Sequence, residues 1–139
     1  MICLERVNTK SDARAVILQC LCEYDLVDHD IVPVMSRVFD SSVFTNEATL
    51  FSKLIIEKIQ ENKIEIDQII SSNAPTWPID QLPTVDRNIL RLALTEIIWI
   101  QQAPSAVVIN EAVELAKIFG SEGSSKFING VLGSYVKYN

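Results

Sequence analysis

Few residues in this chain have the type and spacing to do chemistry. Glu111 and Glu114 lie three apart in a helical stretch, so they share a face, and paired carboxylates suit acid–base work. No histidine, cysteine or glycine-rich loop accompanies them. The more ordinary reading makes Glu111 a buried or half-buried structural bond and leaves Glu114 in solvent near Lys117. Cys3, Cys20 and Cys22 form an odd set with no metal-ligand spacing. Cys20 and Cys22 are two apart on a helix and diverge, so they read as small core residues. The one histidine, His29, sits in the acidic turn Asp28-His29-Asp30, which argues against a zinc site. All four glycines lie at or beyond Gly120 and match no phosphate-binding loop. The sequence therefore implies no catalytic group, no metal and no cofactor, and points away from an enzyme.

A second set of residues suits an anionic polymer. Lys10 and Arg14 fall at the start of a first helix, Arg87 and Arg91 near the start of a fifth, and Lys126 with Phe127 open a seventh. Helix N-termini favour phosphates, and Phe119 and Phe127 offer faces to unstacked bases. The competing reading pairs Arg87 and Arg91 with Asp86 or Glu96 and buries both phenylalanines in the core.

The elements that must position these residues are all helical. Thr9 and Asp12 form a capping box for a first helix, with Ala15, Leu18, Gln19, Cys22 and Leu26 on one side. A second helix covers 31–39, with Pro33 in its first turn. Asn46 caps a third, with Leu50, Leu54, Ile55 and Ile59 buried, and a fourth runs over 64–72. Ala74-Pro75-Thr76-Trp77-Pro78 breaks the pattern, and Trp77 is expected to wedge between subdomains. Thr84 caps the fifth helix, with Asp86 favourably placed in its first turn. Pro104 and Ser105 start the sixth, which Gly120 ends as a left-handed cap. Ser121 to Ser124 supplies caps for the seventh. Gly130 and Gly133 inside it cost roughly 1 kcal/mol each against alanine, a cost that close approach of another backbone would justify.

Composition sets the outer limits. A chain of 139 residues, 48% hydrophobic and poor in glycine, makes one compact all-α unit of about seven helices. No run is long enough to span a bilayer, and Glu5 and Arg6 interrupt the apolar start where a signal peptide would need its core, so a cytoplasmic protein is expected. The formal charge is −6, which argues against indiscriminate binding to nucleic acid or membrane. Through Ile70 there are seven Lys/Arg against twelve Asp/Glu, and after it five against six. Any RNA surface must then be a local basic patch on an acidic body.

The strings Asp86-Arg87-x-x-Leu90-Arg91-Leu92-Ala93, Ile109-Asn110-Glu111-Ala112-Val113-Glu114-Leu115-Ala116-Lys117 and Lys126-Phe127-x-Asn129-Gly130-Val131-Leu132, in that order, closely resemble the NusB family of bacterial transcription antitermination factors. The stretch from Ala13-Arg14 to Leu26 is similar more loosely, and roughly 28–77 is similar only as helices of suitable length. The resemblance implies a single NusB-like domain over 1–139 built from two small helical bundles, about 1–73 and about 79–139. It implies a partner, NusE (ribosomal protein S-ten), with which the protein binds single-stranded boxA-type RNA, and an indirect link to the RNA polymerase elongation complex. By position, the family's RNA surface falls on Lys10, Arg14, Lys126 and Phe127. Its NusE-facing surface falls on Asp86 and neighbours such as Arg87, and Cys22 stands where the family often has tyrosine. Many members carry arginines where this chain has Lys10-Ser11-Asp12, so weak RNA binding alone is expected, with most affinity coming from the joint surface with NusE.

Two rivals remain at the level of sequence. One is a protein-only adaptor that has lost most RNA binding, which Asp12 and the acidic balance favour. The other is an accessory domain of the kind fused ahead of ribosomal-RNA methyltransferases. A monomer and a homodimer burying part of the RNA surface are equally compatible with the sequence.

Overall fold

The computed structural model describes residues 6–27, 31–41 and 44–139. Cys3, His29 and its flanking aspartates lie outside the described residues, so the readings placed on them stay with the sequence. Six α-helices succeed one another: α1 (Lys10–Val27), α2 (Ile31–Ser41), α3 (Asn46–Asn73), α4 (Thr84–Thr95), α5 (Ser105–Phe119) and α6 (Ser124–Tyr138). A 3-10 turn, Ile79–Gln81, precedes α4, and a π turn, Glu96–Ile100, continues it. The described residues contain no strand, only an isolated parallel bridge between Val7 and Phe44. None of their helices is long and apolar enough to cross a membrane.

The all-α class holds. The expected third and fourth helices lie end to end in α3 and meet at a kink, where Asn62, with φ −123° and ψ 18°, leaves the helical conformation. Its side-chain Nδ2 donates to Lys58 O at 2.9 Å, so the bend occurs where a side chain joins the backbone hydrogen-bond ladder. α4 is the hub, packing against α1, α3, α5 and α6. Every residue from Asn88 to Thr95 is buried, as expected of a helix enclosed on all sides. Ile89, Leu90, Leu92 and Leu94 fill the core with Ile17, Leu21, Ile55, Ile66 and Ile128 from the surrounding helices. Its buried polar groups need internal partners. Thr95 Oγ1 donates to Arg91 O at 2.7 Å, and Asn88 Nδ2 donates to Thr84 O at 2.8 Å.

Several caps differ from expectation. Thr9 does cap α1, accepting from Asp12 N at 3.0 Å. α3 is capped by Thr45, which accepts from Ala48 N at 3.2 Å, rather than by Asn46. Thr84 is already helical, because Pro83 holds the extended entry before it and no side chain caps the turn. Gly120 is extended, with φ −89° and ψ −173°, and is not a left-handed cap. Its reason for being glycine is space: a Cβ there would lie 2.6 Å from Ser124 Cβ and Oγ and 2.7 Å from Ala116 O. Gly130 and Gly133 show the reverse. A Cβ at either meets nothing within 4 Å, so no backbone packs closely on them.

Three large side chains also sit elsewhere than expected. Leu50 is 70% exposed on α3, and Trp77 is 52% exposed instead of wedged inside. The backbone around Trp77 forms its own tight turn, with Trp77 N donating to Ala74 O at 3.2 Å, and the indole projects from it. Leu26, at the end of α1, is likewise exposed.

Candidate nucleic-acid and partner interface

The candidate residues fall into three clusters. The first lies at the start of α1. Lys10 and Arg14, four apart, both rest on the Phe51 ring of α3, with Lys10 Nζ and Arg14 Cζ each 5.4 Å from its centroid. Arg14 is buried. Its Nε donates to Glu96 Oε1 at 2.7 Å and its Nη2 to Glu96 Oε2 at 2.6 Å, with Glu111 Oε1 3.8 Å away. Glu96 belongs to the π turn, so the widened helix end supplies the carboxylate that neutralises Arg14. Glu111 accepts from Ser11 Oγ at 2.8 Å, and Glu114 pairs with Lys117 at 3.1 Å. Both carboxylates are thus engaged as structural and surface bonds.

The second cluster gathers Cys22, Arg87 and Arg91 around Asp25. Arg87 Nη2 stands 2.7 Å from Asp25 Oδ2, and Arg87 Nη1 also donates to the carbonyls of Ile79 and Leu82. Arg91 forms a fork with Asp67, Nε to Oδ1 at 2.8 Å and Nη2 to Oδ2 at 3.0 Å, and its Nη1 is 3.4 Å from Asp25. The arginines do pair, but with Asp25 and Asp67 in place of Asp86 and Glu96. Burial opposes the charge on Asp25. Hydrogen bonds from Arg87 and Asn88 and the charges of Arg91 and Arg87 outweigh it, holding the carboxyl below its ordinary range. Burial, with the Asp25 charge beside it, pushes the half-buried Cys22 thiol up to about 11. Its Sγ lies 4.0 Å from Thr84 O.

The third cluster joins the starts of α4 and α6. Asp86 is buried and accepts from Ser124 Oγ at 2.7 Å, while Ser121 N donates to Ser124 Oγ at 2.9 Å. Two residues along, Lys126 is exposed and Phe127 half-buried. They line a shallow groove of about 440 Å³ between α6 and the proline-broken loop, with Asn73, Pro75, Thr76 and Gly130 on its other parts. The open space over Gly130 belongs to this groove. Phe119 is half-buried against the core at the end of α5.

Sequence reasoning names both ends of these clusters but not what joins them. Asp25 lies 62 residues from Arg87, Glu96 lies 82 from Arg14, and Ser124 lies 38 from Asp86. Only neighbours at helical spacing are visible in a sequence, so none of these links carries a local signal. Among the described residues, no group of three or more His, Cys, Asp or Glu could hold a metal ion. The arrangement offers an exposed Lys126, a half-buried Lys10, an aromatic edge and a groove.

Comparison with known proteins agrees with this geometry. The NusB family model matches residues 11–137. The transcription antitermination protein NusB of Herpetosiphon aurantiacus is 45% identical over 126 residues, covering 88% of this chain and 86% of that one. The corresponding Dehalococcoides mccartyi protein is 43% identical over 130 residues, covering 94% and 91%. Among solved structures, T. maritima NusB superposes with TM-score 0.88 at 32% identity, over 94% of this chain and 92% of that one. A chain from the crystal structure of antitermination factors NusB and NusE in complex with dsRNA gives 0.84 at 28%, over 94% and 96%. With its hub helix, its three motif strings and nearly its whole length accounted for, this chain belongs to the NusB family of transcription antitermination proteins.

Proposed function

We propose that this non-catalytic adaptor pairs with NusE through the start of α4 and binds single-stranded boxA-type RNA of ribosomal RNA operon transcripts through the starts of α1 and α6. The observation that carries the reading is the exposed Lys126 beside half-buried Phe127 on an open groove, in a chain whose fold matches one found in a complex of NusB, NusE and dsRNA. Lys10 adds a second cation. Arg14 and Arg91 contribute by fixing helices, since their guanidinium groups are already held by Glu96 and Asp67. Mechanism here is avidity: two modest surfaces, one on each protein, hold one RNA more tightly than either alone. The division into bundles at 1–73 and 79–139, action in the cytoplasm and the indirect link to the elongating polymerase belong to the same proposal.

The capture of Arg14 favours one alternative, a protein-only adaptor, because it removes a cation from the RNA-facing set. Fluorescence anisotropy of a boxA-like oligonucleotide, with and without NusE at two salt concentrations, separates the two. Weak binding alone and strong, salt-sensitive binding with NusE is expected. RNA affinity unchanged by this chain when NusE is present would overturn the RNA reading.

A further inference from the structure

We infer that Ser124 is a positioning residue that couples partner docking at the start of α4 to RNA affinity at the start of α6, acting through its hydrogen bond to Asp86. The inference rests on the function proposed above. Asp86 is the residue that the family pattern assigns to the NusE-facing surface, yet it is only 5% exposed and its Oδ1 is occupied by the Ser124 hydroxyl. A carboxylate so enclosed makes little direct contact with a partner. Its hydrogen bond instead holds the turn between α5 and α6.

That turn has no slack. Ser124 is 1% exposed, its Oγ accepts from Ser121 N at 2.9 Å and lies 3.2 Å from Ser121 Oγ, and Ser124 N donates to Ser121 O at 3.1 Å. Gly120 sits so close that even a methyl group would collide with Ser124. A shift or ordering of the first turn of α4 therefore passes to Ser124. Lys126 and Phe127 come within one helical turn of it and line the open groove. Coupling of this kind is reciprocal: RNA seated on α6 strengthens the partner's hold on α4 by the same factor.

The test compares the gain in RNA affinity that NusE confers on the full chain, read as the ratio of Kd values for a boxA-like oligonucleotide without and with NusE. Ser124→Ala is expected to cut that gain by about 5-fold or more. Asp86→Asn, whose amide oxygen still accepts the Ser124 hydroxyl, is expected to keep most of it. A role confined to stability would lower affinity by one factor in both arms and leave the ratio intact, which would overturn the coupling. In the unaltered protein, NusE is expected to slow hydrogen exchange of the Ser121 amide. An unchanged rate would overturn the coupling even if Ser124→Ala failed to fold. A wild-type chain that gains nothing from NusE sinks the proposed function and the coupling with it. A wild-type gain that survives Ser124→Ala sinks the coupling alone.

Discussion

Arg14 and Glu96 face each other as a two-pronged pair, with both side chains almost sealed from water at 6% and 1% exposure. The pair ties the second turn of α1 to the π turn that continues α4. Removing one member leaves the other charged and buried, which costs about 3–5 kcal/mol, whereas replacing both with apolar residues of similar volume is often near neutral. Arg14→Met is therefore expected to lower the urea midpoint sharply, and Arg14→Met with Glu96→Leu to recover much of the loss. Equal destabilisation by the single and double variants would show that the pair is not the source.

Glycine substitutions should divide by position. Gly120→Ala is expected to destabilise by about 1–3 kcal/mol, since the new methyl meets Ser124 and a backbone carbonyl that cannot withdraw. Gly133→Ala on open α6 is expected to stabilise by up to about 1 kcal/mol, because alanine suits a helix interior better. Thermal unfolding of the two variants reads opposite signs.

Asp25 sets an acid limit. Its folded carboxyl ionises more readily than the unfolded one, whose ordinary value is 3.8. Its contribution is fully present above that value and is lost as pH falls through the lower folded value. Stability measured by urea titration should fall below about pH 4 in the wild type. Asp25→Asn should flatten that decline while lowering stability at neutral pH.

The proposed RNA-facing set is separable from the internal pairs by salt. With NusE present, Lys126→Ala is expected to weaken RNA binding and to reduce the slope of log K against log salt by about 0.7. Arg91→Met removes both the charge and the fork to Asp67 and should cost stability without changing that slope. A slope reduced by Arg91→Met would place that side chain on RNA.

Both thiols of α1 should resist alkylation. Burial raises Cys20 to about 12 and Cys22 to about 11, so little thiolate exists at pH 8. Peptide mapping after iodoacetamide treatment is expected to find both unmodified in the native protein and modified in urea. Rapid native labelling of Cys22 would contradict its placement against Thr84.

Much of the architecture is legible in the sequence because apolar spacing survives locally. α2 and α5 begin at the residues expected, α6 begins at Ser124, two residues before Lys126, and Ile55 and Ile59 of α3 are buried as read. The features that escape are long-range or geometric. The kink at Asn62 is one, since it is set by backbone torsions that apolar spacing does not record. Trp77 between two prolines reads as an anchor, but burial depends on what the fold brings opposite it, and here that is solvent. The cations are easy to find and hard to interpret. Lys126 and Arg91 look alike in the sequence, and only the fold shows that one faces outward while the other is clasped by Asp67.

The π turn at Glu96–Ile100 has a consequence for how much the chain can vary in length. Gln101 N reaches back to Glu96 O at 2.9 Å, and Gln101 takes a left-handed backbone, φ 55°, to leave the helix. Deleting one residue within Glu96–Ile100 would restore ordinary winding and rotate the downstream chain by roughly 100°. Ile100 would swing out of the core, and α5 and α6 would leave their berths against α4. The hinge-like bend after α4 is thus a phase-setting spacer, and insertions or deletions there should be tolerated far less than in the proline-broken loop at 74–78.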